Sequence, residues 1–151
     1  MAHTLPTQSF VALAAVGWAD GRLTRTEATA LVDAARKHGL DGDDLAAVER
    51  STKTKASLDA FDPGTMTVWE CVVTYAMASW LARLDGVQST DESKVLHQLG
   101  DRLGIDESVR VRAASAALDI SMLPEGGRPD RYDFAKLVVR LREKMPQFTG
   151  G

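Results

Sequence analysis

Two short stretches of the sequence carry the same acidic pattern, one near residue 20 and the other near residue 85. In the first, Asp20 is followed by a glycine and then, seven residues after the aspartate, by Glu27. In the second, 65 residues further along the chain, Asp85 and Glu92 repeat the pattern. Carboxylates at this spacing can bind a hard divalent cation, and they can also shape the turn between two helices. Both roles are open to the same four residues.

A helix-capping interpretation explains the two glutamates. Thr24 and Ser89 each stand three residues before a glutamate, which is the spacing of the capping box. In that motif the hydroxyl accepts a hydrogen bond from an amide of the first helical turn, and the glutamate binds back to the amide of the cap residue. Each cap stabilises its helix by about 0.5–2 kcal/mol. The two aspartates are left unexplained, because a carboxylate in the last turn of a helix opposes the helix dipole.

A metal interpretation uses all four carboxylates but needs both turns. Asp-Gly followed by Glu at this spacing matches the second half of an EF-hand loop. The earlier ligand positions are Val16 and Trp18 in one copy and Leu81 and Arg83 in the other, and none of these side chains can donate an oxygen. An autonomous EF-hand is therefore excluded, and the two turns would have to share the cation. Ligands that are all oxygen favour Ca²⁺, Mg²⁺ or Mn²⁺.

The repeat extends beyond the acidic residues. Without gaps, the 65-residue offset places matching residues on each other at turn, cap and core positions: Phe10 on Tyr75, Leu31 on Leu96, Gly39 on Gly104, Leu40 on Ile105 and Asp41 on Asp106. Matches at turn and cap positions are typical of an internal repeat. We therefore predict two helical halves, at about 7–57 and 62–120, related by a pseudo-two-fold axis.

Helical periodicity runs through the whole chain, and strand patterns are nearly absent. We predict one all-α domain over residues 1–151 with about seven helices: Thr7 to Ala19, Arg25 to His38, Asp41 to Lys55, Pro63 to Arg83, Thr90 to Leu103, Asp106 to Ile120, and a C-terminal helix at about 130–145. Gly39 and Gly104 are expected in the left-handed conformation at helix ends, each followed by an aspartate cap. The fourth helix is apolar nearly all round, so we expect it at the centre of the fold.

The composition excludes several classes of function. With 44% hydrophobic residues and a net charge of −3, the chain is neither disordered nor basic enough to indicate nucleic-acid binding. The bases of the last helix are interpreted as a solvated face opposite a core face. Acidic residues gather between Asp85 and Glu107, so a cation or a basic partner would prefer that region. The single cysteine, Cys71, lies in an apolar run and is expected to be a core residue.

Sequence motifs for catalysis are absent, and we predict that the protein is not an enzyme. There is no G-x-S-x-G, no H-E-x-x-H and no glycine-rich phosphate loop after a strand. His97 and Asp101, one helical turn apart, are interpreted as a solvated face rather than a metal face. Glu70 is expected near the wet N-terminal end of the fourth helix, where a negative charge is favoured. Because no signal peptide or comfortable membrane span is visible, we expect a soluble cytoplasmic protein without direct membrane insertion.

The two acidic turns, "ADG…E" and "LDG…E", each at the first helix–turn–helix of a half, resemble the tellurite-resistance TerB family. The resemblance covers about Phe10 to Ile120. It implies an all-helical fold with an internal pseudo-repeat, and a cytoplasmic interaction module of stress responses whose protein partners lie near the membrane. Acidic residues around these turns have been proposed as a divalent-metal site in that family. Carried over, the ligands would be Asp20, Glu27, Asp85 and Glu92.

The alternative to this function is a purely structural scaffold or protein-interaction domain without a metal. In that case the carboxylates of the two turns only cap and brace helices.

Overall fold

The computed structural model describes residues 7–18, 25–37, 40–53, 68–82, 90–122 and 134–144. Seven helices follow one another in chain order, and no strand occurs within these ranges: α1 Thr7–Gly17, α2 Arg25–Lys37, α3 Gly42–Lys53, α4 Val68–Ala82, α5 Thr90–Leu103, α6 Glu107–Ser121 and α7 Phe134–Lys144. The predicted all-α fold is thus confirmed. The helix start that we predicted at Pro63 lies outside the described residues.

Helix α4 lies at the centre of the fold, as its sequence predicts. Every residue from Cys71 to Trp80 is buried, and the helix packs against α1, α5 and α6. Its buried hydroxyls are satisfied within the helix, because Thr74 and Ser79 donate to backbone carbonyls one turn earlier, at 2.7 and 3.1 Å. Burial raises the pKa of the Cys71 thiol, and the neighbouring Glu70 carboxylate raises it further. Cys71 is therefore the buried core residue that we expected.

Helix α1 is buried more completely than its sequence suggests. Its larger apolar residues are buried, and so are the intervening alanines: Phe10, Leu13 and Val16, with Ala12, Ala14 and Ala15. The reason is that α1 contacts four other helices, α2, α3, α4 and α5. Two helices at equivalent places in the halves, α1 and α4, thus form the core together.

The two halves follow the predicted 65-residue offset. Helices α2 and α5 begin at Arg25 and Thr90, and α3 and α6 begin at Gly42 and Glu107. Helix α1 contacts α5, and α2 contacts α4, as a two-fold axis requires, but α2 packs more closely against α3 than α5 does against α6. At the axis, residues with the same place in each half meet directly, because the Ser9 and Thr74 hydroxyls are hydrogen-bonded at 2.9 Å.

The second helix of each half ends in the same turn. The Leu40 amide donates to the Ala35 carbonyl at 3.1 Å, and the Ile105 amide donates to the Gly100 carbonyl at 3.3 Å. This bond is that of a Schellman motif, which places a left-handed residue just before the donor. Gly104 has φ 70°, as predicted. Its counterpart Gly39 lies outside the described residues.

Asp106 is the N-cap residue of α6, as predicted, and its backbone is extended. The helix therefore begins at Glu107, one residue later than the predicted start at Asp106. The expected capping bond is wrong, because the exposed Asp106 side chain makes no capping hydrogen bond and can be solvated by water instead. A second positive φ, 53° at Gly42 at the start of α3, was not predicted from the sequence.

Helix α7 has no counterpart in the first half and packs against α6. Leu137 and Leu141 are buried, which confirms that this helix has a core face. On its polar side, Arg140 donates to Asp119 of α6 at 2.9 Å, and the Lys144 ammonium lies 3.6 Å from the same carboxylate. Part of the basic charge of this helix is therefore used to hold it to α6.

Candidate functional site

Glu27 and Glu92 occupy the same position in two equivalent helices. Each lies in the first described turn of its helix, α2 or α5. A capping box needs its glutamate in the first helical turn, so this placement is compatible with one. Four other residues of the predicted site and caps lie outside the described residues: Asp20, Asp85, Thr24 and Ser89. The side chains of the two glutamates are also outside the described part of the chain.

The structure therefore leaves the predicted metal site untested. Within the described ranges, no group of three or more histidine, cysteine, aspartate or glutamate side chains lies close enough to hold a metal ion. The two aspartates that would anchor the site do not belong to those ranges. A cation bound by Asp20, Glu27, Asp85 and Glu92 stays a prediction.

A cavity of about 560 Å³ opens between α4, α5 and α6 in the second half. Its wall combines apolar side chains with hydroxyl, imidazole, guanidinium and carboxylate groups: Tyr75, Ser79, Leu96, His97, Ile105, Asp106, Glu107, Arg110, Val111 and Ala114. A concave wall that brings polar groups together with apolar side chains can accept a ligand or a side chain of a partner.

Arg110 organises the polar part of this cavity. Its Nε donates to the Ile105 carbonyl at 2.8 Å, and its Nη2 donates to Asp101 Oδ1 at 2.9 Å. Its Nη1 lies 3.5 Å from Nδ1 of His97. A single guanidinium thus ties α6 to the last turn of α5 and to the connection between them. The hydrogen bond from Arg110 lowers the pKa of the Asp101 carboxyl, so that this group stays ionised as the partner of the guanidinium.

Tyr75 lies at the inner wall of the cavity, with only 8% of its surface exposed. Burial raises the pKa of its phenol, while the nearby positive charge of Arg110 acts in the opposite direction. The phenol is therefore protonated at neutral pH and can both donate and accept a hydrogen bond.

The first half carries mostly apolar residues where the second half has this polar network. At the 65-residue offset, five residues of the network and their counterparts differ in polarity, charge or size: Tyr75 replaces Phe10, His97 replaces Val32, Gly100 replaces Ala35, Asp101 replaces Arg36 and Arg110 replaces Leu45. Both halves nevertheless form the equivalent hydrogen bond at the end of their second helix, to the carbonyl of residue 35 or residue 100. The fold therefore does not require the polar residues, and they are specific to the second half.

His97 and Asp101 form an exposed pair, as the sequence interpretation expected. The side chains are 72% and 61% exposed, and His97 Nε2 lies 3.6 Å from Asp101 Oδ2. The other carboxylate oxygen of Asp101 accepts a hydrogen bond from Arg110. These contacts give the pair a place in the ion-pair network beside the cavity.

Sequence reasoning missed Arg110, although the repeat holds the signal that could have found it. Arg110 precedes a run rich in alanine, where an arginine gives no local hint of a long-range contact. In the ungapped superposition, however, Arg110 stands where the first half has Leu45, and Gly100 stands where it has Ala35. One position thus carries a larger residue in the second half and the other a smaller one, which is the pattern expected of two residues in contact.

No family model, curated protein or solved structure matches this chain. Within the described ranges, no helix combines the length and the apolar character needed to cross a bilayer.

Proposed function

We propose that this protein is a TerB-like interaction module of the cytoplasm, acting in a stress response of the tellurite-resistance type. In this proposal it binds a protein partner, including partners associated with the membrane, and it performs no catalysis. A divalent cation, Ca²⁺, Mg²⁺ or Mn²⁺, is held by the acidic turns. The observation that carries the proposal is the repeat: both halves have an Asp-Gly pair and, seven residues after the aspartate, a glutamate that lies in the second helix.

The number of ligands links the cation to a partner. Each turn supplies two carboxylates, from Asp20 and Glu27 or from Asp85 and Glu92. Ca²⁺ takes six to eight oxygens, and Mg²⁺ takes six in near-octahedral geometry. The missing ligands must come from the other turn, from water or from an oxygen of the partner. Cation binding by the isolated chain is therefore expected to be weak, and a partner that supplies an oxygen would strengthen it.

A scaffold without a metal is the second candidate, and the place of the two glutamates supports it. Glu27 and Glu92 lie in the first described turns of α2 and α5, three residues after Thr24 and Ser89. In a capping box the hydroxyl residue precedes the helix, and the glutamate stands three residues later. In this candidate the glutamates bind helix amides, and the chain presents a rigid surface to partners.

Titration with Ca²⁺, Mg²⁺ and Mn²⁺ distinguishes the two candidates. Calorimetry and thermal melts are run on the wild type and on a double variant, Asp20→Asn with Asp85→Asn. Asparagine is nearly isosteric with aspartate, so the metal-free melting temperature should change little. We expect the wild type to release heat and to melt at a higher temperature with the cation, and we expect the variant to lose both effects.

A second repeated pair provides the matched control. Asp41 and Asp106 are also 65 residues apart, and both are exposed. Changing both to asparagine removes the same charge without touching the acidic turns, so the cation effect should persist. If the wild type shows no heat with any of the three ions at millimolar concentration, the cation is rejected and the scaffold candidate stands.

A further inference from the structure

The outer face of α6 exposes a line of large apolar side chains. Val111, Leu118 and Met122 are 63%, 40% and 76% exposed. At 3.6 residues per turn, these positions fall within roughly 40° of one another around the helix, over a length of about 16 Å. Val111 also belongs to the wall of the cavity, so the line is continuous with it. Single exposed apolar residues are ordinary on a protein surface, whereas an aligned set indicates a binding surface.

The repeat shows that the fold does not require this line. Helix α3 is the counterpart of α6, and its equivalent positions are Ala46 and Lys53, followed by Ser57, which lies outside the described residues. Helix α7 does not account for the line either. It packs against α6, yet Val111 and Leu118 remain exposed with it in place. The second half thus has apolar surface residues that the first half lacks, and α7 leaves Val111 and Leu118 exposed.

The charge at one end of the line is negative. Glu107 lies on the same face of α6, one turn before Val111, and Asp106 directly precedes it. Both residues are exposed, and both line the cavity. Among the described residues that line the cavity, Arg110 is the only lysine or arginine, and its charge is engaged by Asp101. A positively charged group is therefore favoured at this mouth of the cavity.

We infer that these features form one docking site, the α6 groove, for an amphipathic helix of a partner protein. We use the name α6 groove for the cavity together with the exposed side of α6 that continues from it: Asp106, Glu107 and Val111 line the cavity, and Leu118 and Met122 lie beyond it. The partner helix lays apolar residues along the line and places a lysine or arginine at the acidic mouth, which is the helix-in-groove mode of recognition. This inference rests on the proposed function as an interaction module and names the surface that the module uses.

Charge and shape favour a protein helix over a lipid surface. Anionic headgroups attract basic protein segments, and the acidic mouth of the α6 groove would repel them. The apolar line is about as long as three helical turns, and it is bordered by a concave cavity that can accept one long side chain. A partner helix with apolar residues at positions i, i+7 and i+11 and a basic residue near one end complements all of these features.

A display library of helical peptides with randomised surface positions provides the probe. Peptides selected on the wild type are expected to share apolar residues at helical spacing and a lysine or arginine near one end. Leu118→Asp and Met122→Asp should each weaken the selected peptides by about tenfold or more, because each places a charge at the apolar contact. Glu107→Lys should weaken the basic peptides, and added salt should reduce their binding to the wild type.

Val139→Asp is the matched control, because Val139 is similarly exposed, at 54%, but belongs to α7 outside the groove. This variant should bind the selected peptides as the wild type does. Thermal melts of all variants serve to check that they are folded, which we expect for substitutions at exposed positions.

Two results would contradict the α6 groove as the docking site. In the first, no peptide is selected above the library background. In the second, the selected peptides bind the Leu118→Asp and Met122→Asp variants as tightly as the wild type. In the second case the chain still binds a helix, so the interaction module stands and only its surface is wrong. A wild-type dimer that Leu118→Asp converts to monomer would identify a second copy as the occupant. Binding to phosphatidylcholine vesicles that the same change abolishes would identify a lipid surface. The cation titration tests the acidic turns independently of all these outcomes.

Discussion

The guanidinium of Arg110 lies so close to Gly100 that a Cβ atom at this glycine would come within 2.5 Å of Nε. In the first half the corresponding pair is Leu45 and Ala35. Both pairs stand beside the same helix-ending turn, whose hydrogen bond runs to the carbonyl of residue 35 or residue 100. The glycine therefore makes room for the arginine, and the two positions are coupled.

Gly100→Ala should destabilise the protein by about 1–2 kcal/mol. The new methyl group displaces the guanidinium from the Ile105 carbonyl, and a hydrogen bond from a charged group contributes about 1.5–3 kcal/mol. The higher helix preference of alanine offsets up to about 1 kcal/mol of that loss. Urea denaturation measures the free energy of unfolding.

The double variant Gly100→Ala with Arg110→Leu recreates the pair of the first half. It should lose less stability than the sum of the two single variants, with a coupling of at least about 0.5 kcal/mol. Additive losses would show that the two side chains do not interact.

Thr74→Val should cost about 0.5–1.5 kcal/mol, because it removes the buried hydrogen bond to the Ser9 hydroxyl. Replacing both hydroxyls, by Thr74→Val with Ser9→Ala, should cost less than the sum of the single changes, since either single change already removes the bond that joins them. Thermal or urea unfolding of the four proteins gives the comparison. Thr52→Val is a control, because its hydroxyl bonds only locally, to the Glu49 carbonyl within α3. Equal and additive losses at Ser9 and Thr74 would contradict a direct bond.

The sequence was sufficient for the features that depend on local chemistry. Helix α5 has the bounds that were predicted, and Gly104 has the left-handed conformation, because caps and turn glycines act within one helical turn. The complete burial of Ala12 and Ala15 was not predictable from the periodicity of α1, since it depends on helices packing on more than one side.

The candidate site was less predictable than the fold for the same physical reason. Arg110 contacts residues 5, 9 and 13 positions earlier in the chain, across a helix end, so no periodic pattern within α6 indicates its role. Asp106 shows the opposite error. A local rule placed it correctly at the N-cap position, but the rule does not decide whether an exposed carboxylate bonds to the helix or to water.

Acidification should weaken the docking of α7. The hydrogen bond from Arg140, with the charge of Lys144, lowers the pKa of the Asp119 carboxyl. A lowered pKa in the folded state means that this group stabilises the fold above the ordinary aspartate pKa of about 3.9 and loses its effect as the pH falls through the lower folded value.

Asp119→Asn should therefore make the fall of the melting temperature below about pH 4 shallower than in the wild type. Asp33→Asn is a suitable control, because it removes a carboxylate from a longer ion pair, 3.7 Å from Arg36. An acid profile of Asp119→Asn that parallels the wild type would contradict a contribution from this contact.

Thr24→Ala and Ser89→Ala should each cost about 1 kcal/mol if these residues cap α2 and α5. Each change removes the acceptor for an amide of the first helical turn. Denaturant unfolding of the two variants gives the free energies, with Thr24→Asn and Ser89→Asn as controls that retain a cap. If neither alanine variant loses stability, the capping interpretation is rejected.

A double change, Glu27→Gln with Glu92→Gln, separates capping from cation binding. Glutamine also fits the capping box, so the metal-free stability should be close to that of the wild type. The amide carries no charge, so a cation bound by these residues should be lost, together with any rise in melting temperature on adding Ca²⁺. A cation effect that survives this change would remove the two glutamates from the ligand set.

The contact of Ser9 with Thr74 also determines how the chain can be divided. Because residues with the same place in the two halves meet at the axis, the polypeptide is arranged like a homodimer whose subunits have been joined end to end. The connection between α3 and α4 then acts as a tether, which replaces subunit concentration by a high effective concentration of one half around the other. Two separate fragments, residues 1–57 and 58–151, should therefore reassociate into the native complex when they are mixed. Their association should depend on fragment concentration, because no covalent connection then holds one half close to the other.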